Sequence, residues 1–256
     1  MRRPLILFLV LVLVLFLETE LSVIAPGIKK GVAENIKPAA VVEEKPEFPD
    51  RVGEKVVYDV MLGGIRLGQA VFYYPGKAEL DGRPVSIFTF ETSLFRFKDK
   101  EKIYSQPRTF LPLKVEREIS SWPKYEKITE IYDQDKFTLN ITHTESGKDQ
   151  VTNIKKESVI HNSILLPYLV REIPDLAPGW SFRANLPTQS FKIELTSIEE
   201  VNVAGGKFKA YHFKSTPEKF EIWISDDERK IPLRIKGMSG IGYILEMREY
   251  LPGTAA

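Results

Sequence analysis

Two stretches of the chain alternate between apolar and polar positions, and they echo each other. In residues 220–225, Phe220, Ile222 and Ile224 alternate with Glu221, Trp223 and Ser225. In residues 231–236, Ile231, Leu233 and Ile235 alternate with Pro232, Arg234 and Lys236. A period of two sends alternate side chains to opposite faces of a strand. The polar run Asp226-Asp227-Glu228-Arg229 suits the turn between the arms. Pro232 cannot donate to a ladder, so it belongs at an edge or beside a bulge. The echo is Lys102-Ile103-Tyr104-Ser105, a polar turn at 106–109, then Leu111-Pro112-Leu113-Lys114-Val115. Flanking landmarks repeat in the same order, at an offset of roughly 120 residues: Gly53 with Gly179, Gly82 with Gly206, Tyr132 with Tyr250. Order and spacing together predict two copies of one β-unit.

Strand patterns fill most of the remaining chain. The first unit, about 51–157, carries strands at 54–62, 65–74, 83–95, 100–105, 111–119, 125–133, 136–143 and 149–156. The second, about 179–252, carries them at 181–186, 190–203, 207–215, 218–225, 231–236 and 243–250. Gly63-Gly64, Pro75-Gly76, Asp81-Gly82, Ser146-Gly147 and Gly205-Gly206 mark turns. Short turns join neighbours that pair antiparallel. The expected fold is therefore mainly β: a large antiparallel meander forming an open or half β-barrel from two related units. Between the units, Ile164, Leu165, Tyr168, Leu169 and Ile173 fall on one helical stripe. Asn162 or Ser163 can cap this short helix (about 162–173), Pro167 shortens or kinks it, and Pro174 and Pro178 stop it. It either plugs the open end of the curved sheet or simply crosses over an edge.

The N-terminus changes the picture from fold to location. Arg2 and Arg3 precede an unbroken apolar run over 5–17, the pattern of a signal peptide or N-terminal membrane anchor within 1–25. Pro26 follows the best cleavage site, at Ala25, which tilts the reading toward an uncleaved anchor that meets the membrane through 1–24. Basic residues before the run keep Met1 cytoplasmic and send the rest across. Residues 26–50 are rich in Pro, Lys, Glu and Ala with no usable period, and read as a flexible tether. The expected location is the periplasm or cell envelope of a bacterium, tethered to the inner membrane or secreted. A formal net charge of +1 argues against nucleic acid as a partner. The chain has no cysteine, which excludes disulfides, thiolate metal sites and a lipidated N-terminal Cys.

Candidate chemistry is sparse. His143, His161 and His212 lack metal spacing, and no Gly-x-Ser-x-Gly elbow is present. The Asp226-Asp227-Glu228 cluster lacks the glycine and spacing of a calcium loop. No catalytic residue, metal site or cofactor is assigned. Trp223 and Tyr104 hold matched positions in the two units and are the candidate groove-lining residues, against the reading that both are framework positions. Phe72, Tyr74, Phe88, Phe90 and Leu94 offer more apolar face than a simple sheet covers, as a ligand cavity would need.

The opening Gly53-Glu54-Lys55-Val56-Val57-Tyr58, then Gly64-Ile65-Arg66-Leu67-Gly68, resembles the start of the DUF3108 family of exported bacterial proteins. Residues 203–208, Ile222-Trp223-Ile224 and Ile231-Pro232-Leu233-Arg234-Ile235 resemble its closing part. The resemblance implies an envelope location and an antiparallel β fold, and carries no catalytic residues over. The function expected is non-enzymatic: binding of an apolar or amphipathic ligand, a lipid or an envelope partner, on the curved sheet. The alternatives are a scaffold acting through protein contacts, or an enzyme acting on envelope glycans or lipids.

Overall fold

The computed structural model describes residues 51–171, 173–238 and 242–255. The expected signal or anchor and the tether lie outside them. Among the described residues no helix is long and apolar enough to cross a membrane. In chain order the strands are β1 (Arg51–Val52), β2 (Lys55–Leu62), β3 (Ile65–Leu80), β4 (Arg83–Leu94), β5 (Phe97–Ser105), β6 (Pro112–Ser121), β7 (Lys124–Asp133), β8 (Thr138–Glu145) and β9 (Lys148–Lys155). A 3-10 turn (Ser163–Leu165) runs into a short helix, α1 (Leu166–Arg171). Then come β10 (Ser181–Asn185), β11 (Ser190–Val203), β12 (Gly206–Thr216), β13 (Phe220–Ser225), β14 (Pro232–Gly237), β15 (Tyr243–Leu251) and β16 (Thr254–Ala255).

Fourteen of these strands form one antiparallel sheet in the order β10-β11-β12-β13-β14-β15-β2-β3-β4-β5-β6-β7-β8-β9. Every neighbour is a chain neighbour except β15 and β2, which join the two units. The edges β9 and β10 do not pair, so the sheet curves without closing into a barrel. Curvature comes from register shifts in six ladders, where an extra residue bends one strand. Two of them are equivalent. Pro112 pairs with Ser105 beside a shift after Tyr104, and Pro232 pairs with Ile224 beside a shift after Trp223. The bulge expected beside Pro232 is present in both units, and both turns end on a residue of positive φ, Phe110 (54°) and Lys230 (45°).

The concave face holds the core. Val56, Tyr58, Phe72, Phe88, Ile103, Val115 and Leu139 are buried in one cluster, and Phe191, Ile193, Leu195, Phe213, Phe220 and Ile222 in a second. The helix lies between them. Tyr168 stacks on Phe72 at 3.9 Å between ring centroids, while Leu166 and Val170 enter the second cluster. It is therefore buried on two flanks rather than on the single stripe the periodicity implies, and Leu169 is only half-buried. Asn162 is the cap, its side chain accepting from the Ile164 amide at 2.9 Å. At the other end the β13–β14 turn holds it: Lys230 Nζ donates to the carbonyls of Arg171 (3.1 Å) and Ile173 (2.6 Å).

Residues 156–162 bridge the open gap. Gln134, buried, donates to the carbonyls of Pro112 and Ile160 and accepts from the Ile160 amide. One residue on, the His161 amide donates to the Asn185 carbonyl at 2.7 Å. The crossover is thus pinned to both units.

Every residue of β13 is buried. The alternation predicts only one covered face. The second is covered because β11 shifts register between Leu195 and Ser197, and its distal half folds back over β13–β15. Glu199 accepts from Trp223 Nε1 at 2.6 Å, the Asn202 carbonyl from Arg234 at 2.7 Å, and the Met247 carbonyl from the Gly205 amide at 3.1 Å.

Candidate functional site

The concave face is not completely filled. A cavity of about 170 Å³ lies beside the helix, between the two units. Its walls differ in chemistry. Leu166, Pro167 and Leu186 from the crossover side, with Phe220, Ile222 and Leu245 from β13 and β15, make one wall apolar. Asp99, Glu101, Arg117, Glu130, Tyr132 and Asn162 make the other polar.

The polar wall follows from strand register. Phe97, Asp99, Glu101 and Ile103 share one phase of β5, and Lys98, Lys100 and Lys102 take the other. On β6, Arg117 shares the buried phase with Val115 and Ile119; on β7, Glu130 shares it with Ile128 and Tyr132. Glu101 lies directly opposite Arg117 in the ladder. The Arg117 guanidinium makes a two-pronged contact with Asp99, Nε–Oδ1 2.9 Å and Nη2–Oδ2 2.5 Å, and its Nε lies 3.9 Å from Glu101 Oε2. Asn162 donates to Glu101 at 3.3 Å, and the Tyr132 hydroxyl donates to Glu130. Every one of these side chains is buried.

Three carboxyl groups thus share one guanidinium in an apolar surround. One guanidinium, already bound to Asp99, cannot also compensate the charges of Glu101 and Glu130. Burial pushes the Glu101 carboxyl from its ordinary 4.5 up to about 7, against the pull of Arg117. Burial also raises Glu130, outweighing the Tyr132 hydrogen bond and the Arg117 charge. The wall therefore offers hydrogen-bond donors as well as acceptors near neutral pH. Among the described residues no group of three or more His, Cys, Asp or Glu side chains could hold a metal ion.

Trp223 and Tyr104 do not line this cavity. Trp223 is buried on the opposite face of the sheet, stacked on His212 at 4.2 Å. Tyr104 is half-buried between Lys102 (4.8 Å) and Lys114 (5.7 Å), and its hydroxyl donates to Glu116 at 3.0 Å. The structure does not bring the two together. The three histidines hold framework contacts: His143 with Glu126, His161 with Asn185, His212 with Glu221 at 2.6 Å. Asp99, Glu101, Arg117 and Glu130 went unremarked in the sequence, and Tyr132 was noted only as a repeat landmark. Their signal was available: charged residues in the apolar phase of three successive strands.

A family model described as a protein of unknown function, DUF3108, matches residues 57–248. No curated protein matches the chain. Among solved structures, one similar fold is a β-barrel-like protein of domain DUF1849 from Brucella abortus, 7% identical, with a TM-score of 0.49, covering 80% of this chain and 100% of that one. Another is an exported protein with a YmcC-like fold from Bacteroides fragilis, 10% identical, with a TM-score of 0.29, covering 80% and 98%.

Proposed function

The chain belongs to the DUF3108 family, and for this member of it we propose non-catalytic binding of a small amphipathic molecule in the cell envelope. The observation that supports this is the two-walled cavity between the units, apolar on one side and hydrogen-bonding on the other. Its volume of about 170 Å³ suits a single short chain or ring, since a cavity of roughly 150 Å³ accepts a benzene-sized molecule. The apolar part lies against Leu166, Phe220 and Ile222, and the polar end meets Arg117, Glu101 and Glu130. The polar side chains are already bonded to one another, which suits recognition better than proton transfer. The apolar N-terminal run is the support for an envelope location.

The test is isothermal titration calorimetry of the full chain with p-cresol, a single ring bearing one hydroxyl, beside Ser163→Trp. Ser163 is exposed yet lines the cavity, so an indole there fills space without disturbing the core. One site per chain in the parent, lost in the folded variant, is the expected outcome. Equal uptake by both, or no uptake by the folded parent, sinks the reading. The apolar N-terminal run is common to both proteins and cancels.

A further inference from the structure

We propose that the hairpin tips at the end of the sheet remote from the described termini form a docking surface for an anionic lipid bilayer. In an antiparallel meander alternate turns share one end. The β2–β3, β4–β5, β6–β7 and β8–β9 turns therefore line up along one rim. The ends of the described residues meet at the other end, where β1 pairs with β16 beside the start of β2.

This rim carries the three most exposed large apolar side chains among the described residues. Phe95 (82%), Trp122 (74%) and Ile65 (68%) each belong to a different one of these turns, and Tyr125 (49%) follows Trp122. Such residues gathered at one place, rather than scattered, mark a contact surface. Arg96 ties two tips together, its guanidinium 5.6 Å from the Phe95 ring and 5.5 Å from the Trp122 ring.

Charge favours the same rim, which is basic where the other end is mixed. Residues 63–66, 95–98, 122–125 and 145–148 contain Arg66, Arg96, Lys98, Lys124 and Lys148 and one carboxylate, Glu145. Arg66, Lys98 and Lys124 pair with Asp59, Glu91 and Glu145; the first two carboxylates sit further up the strands, and Glu145 lies at the rim opposite Lys148. The turns at the other end mix Asp81, Asp133, Asp135, Asp226, Asp227 and Glu228 with Arg83, Arg108, Lys136, Arg229 and Lys230. Trp, Phe and Tyr interleaved with Arg and Lys is the composition of a membrane–water interface: rings enter the headgroup layer, and cations meet the anionic phosphates. A single-stranded nucleic acid also takes aromatic and basic residues, but along a groove that tracks its backbone. Here the rings stand on separate turns along a rim, which suits a plane.

The absence of cysteine permits single labels. Ser120→Cys, exposed and two residues from Trp122, and Asp135→Cys at the opposite end each take an environment-sensitive fluorophore in the full chain. The expected result is a blue shift and lipid-phase quenching at position 120 on phosphatidylglycerol vesicles, weaker on phosphatidylcholine, and none at position 135. Phe95→Ser combined with Trp122→Ser should abolish the response at 120 while leaving melting temperature and circular dichroism unchanged, because both side chains are exposed. Equal responses at the two ends, no response at 120, or a response that survives the double substitution would overturn the proposal. So would the same shift at 120 on adding a single-stranded oligonucleotide in place of vesicles.

Discussion

Glu101 stands in a strand where every second residue from 98 to 102 is lysine, and the lysines face outward while Glu101 faces in. Its carboxyl is raised to about 7 by burial, so the folded state binds a proton more tightly than the unfolded state. Stability must then fall as pH rises from 4.5 toward 7 and level off above. Glu101→Gln removes this dependence, because the amide is neutral throughout. Urea unfolding at pH 5 and pH 8 is expected to show the parent losing on the order of 1–3 kcal/mol more than the variant across that interval. Parallel profiles for the two proteins would show that Glu101 is charged throughout. At this scale the sequence was legible in part. The phase of Asp99, Glu101, Arg117 and Glu130 can be read residue by residue, since side chains alternate strictly. What joins them cannot, because Glu101 meets Arg117 only through the β5–β6 register and Asn162 only through the crossover. Trp223 shows the converse. Its alternation with apolar residues places it on the outer face, but a bulge far away in β11 decides that this face is covered.

The helix is the element that makes the cavity, and it is held at both ends by parts of the chain remote in sequence. Its arginine, Arg171, reaches Glu54 with two short contacts, 2.6 and 2.7 Å, and donates to the Arg229 carbonyl at 2.7 Å. Glu54 also accepts from Tyr250 at 2.8 Å. Both members of the ion pair are buried, so removing one strands the other without water. Arg171→Met should cost about 3–5 kcal/mol, and restoring neutrality with Glu54→Gln in the same chain should recover part of that loss. Chemical denaturation of the two single variants and the double variant measures the coupling. Additive losses would mean that Arg171 and Glu54 act separately, and that the helix is held by the packing of Leu166, Tyr168 and Val170 and by the Lys230 contacts. The helix itself was readable from its cap and its closing prolines. That it is buried on two flanks was not, because periodicity reports one stripe and the second partner is a separate unit.

Fourteen of the described strands form one sheet whose spatial order departs from chain order at a single junction, β15 with β2. The meander was legible because two- to six-residue turns leave few other pairings. The junction was not, since nothing local specifies that Leu245 lies opposite Val60. Yet the ends of the described chain already meet there: Arg51 pairs with Ala255 and Val52 with Thr254. This permits a rearrangement. Joining position 255 to position 51 through a short glycine-rich linker, and opening the chain at Glu157, gives a permutant whose sequence runs β10 to β15 and then β2 to β9. Glu157 is exposed and lies between β9 and the Gln134-bound crossover, so the cut frees no buried group. All fourteen strands then follow their spatial order, and the most distant pairing becomes a hairpin. Mean sequence separation falls, so refolding should accelerate, while the melting temperature stays within a few degrees of the same segment in its original order. Stopped-flow refolding of both forms decides it. A permutant that folds no faster would place the rate-limiting step elsewhere than the β15–β2 junction. One that does not fold would show that the crossover must be covalently held at both ends to bring the two units together.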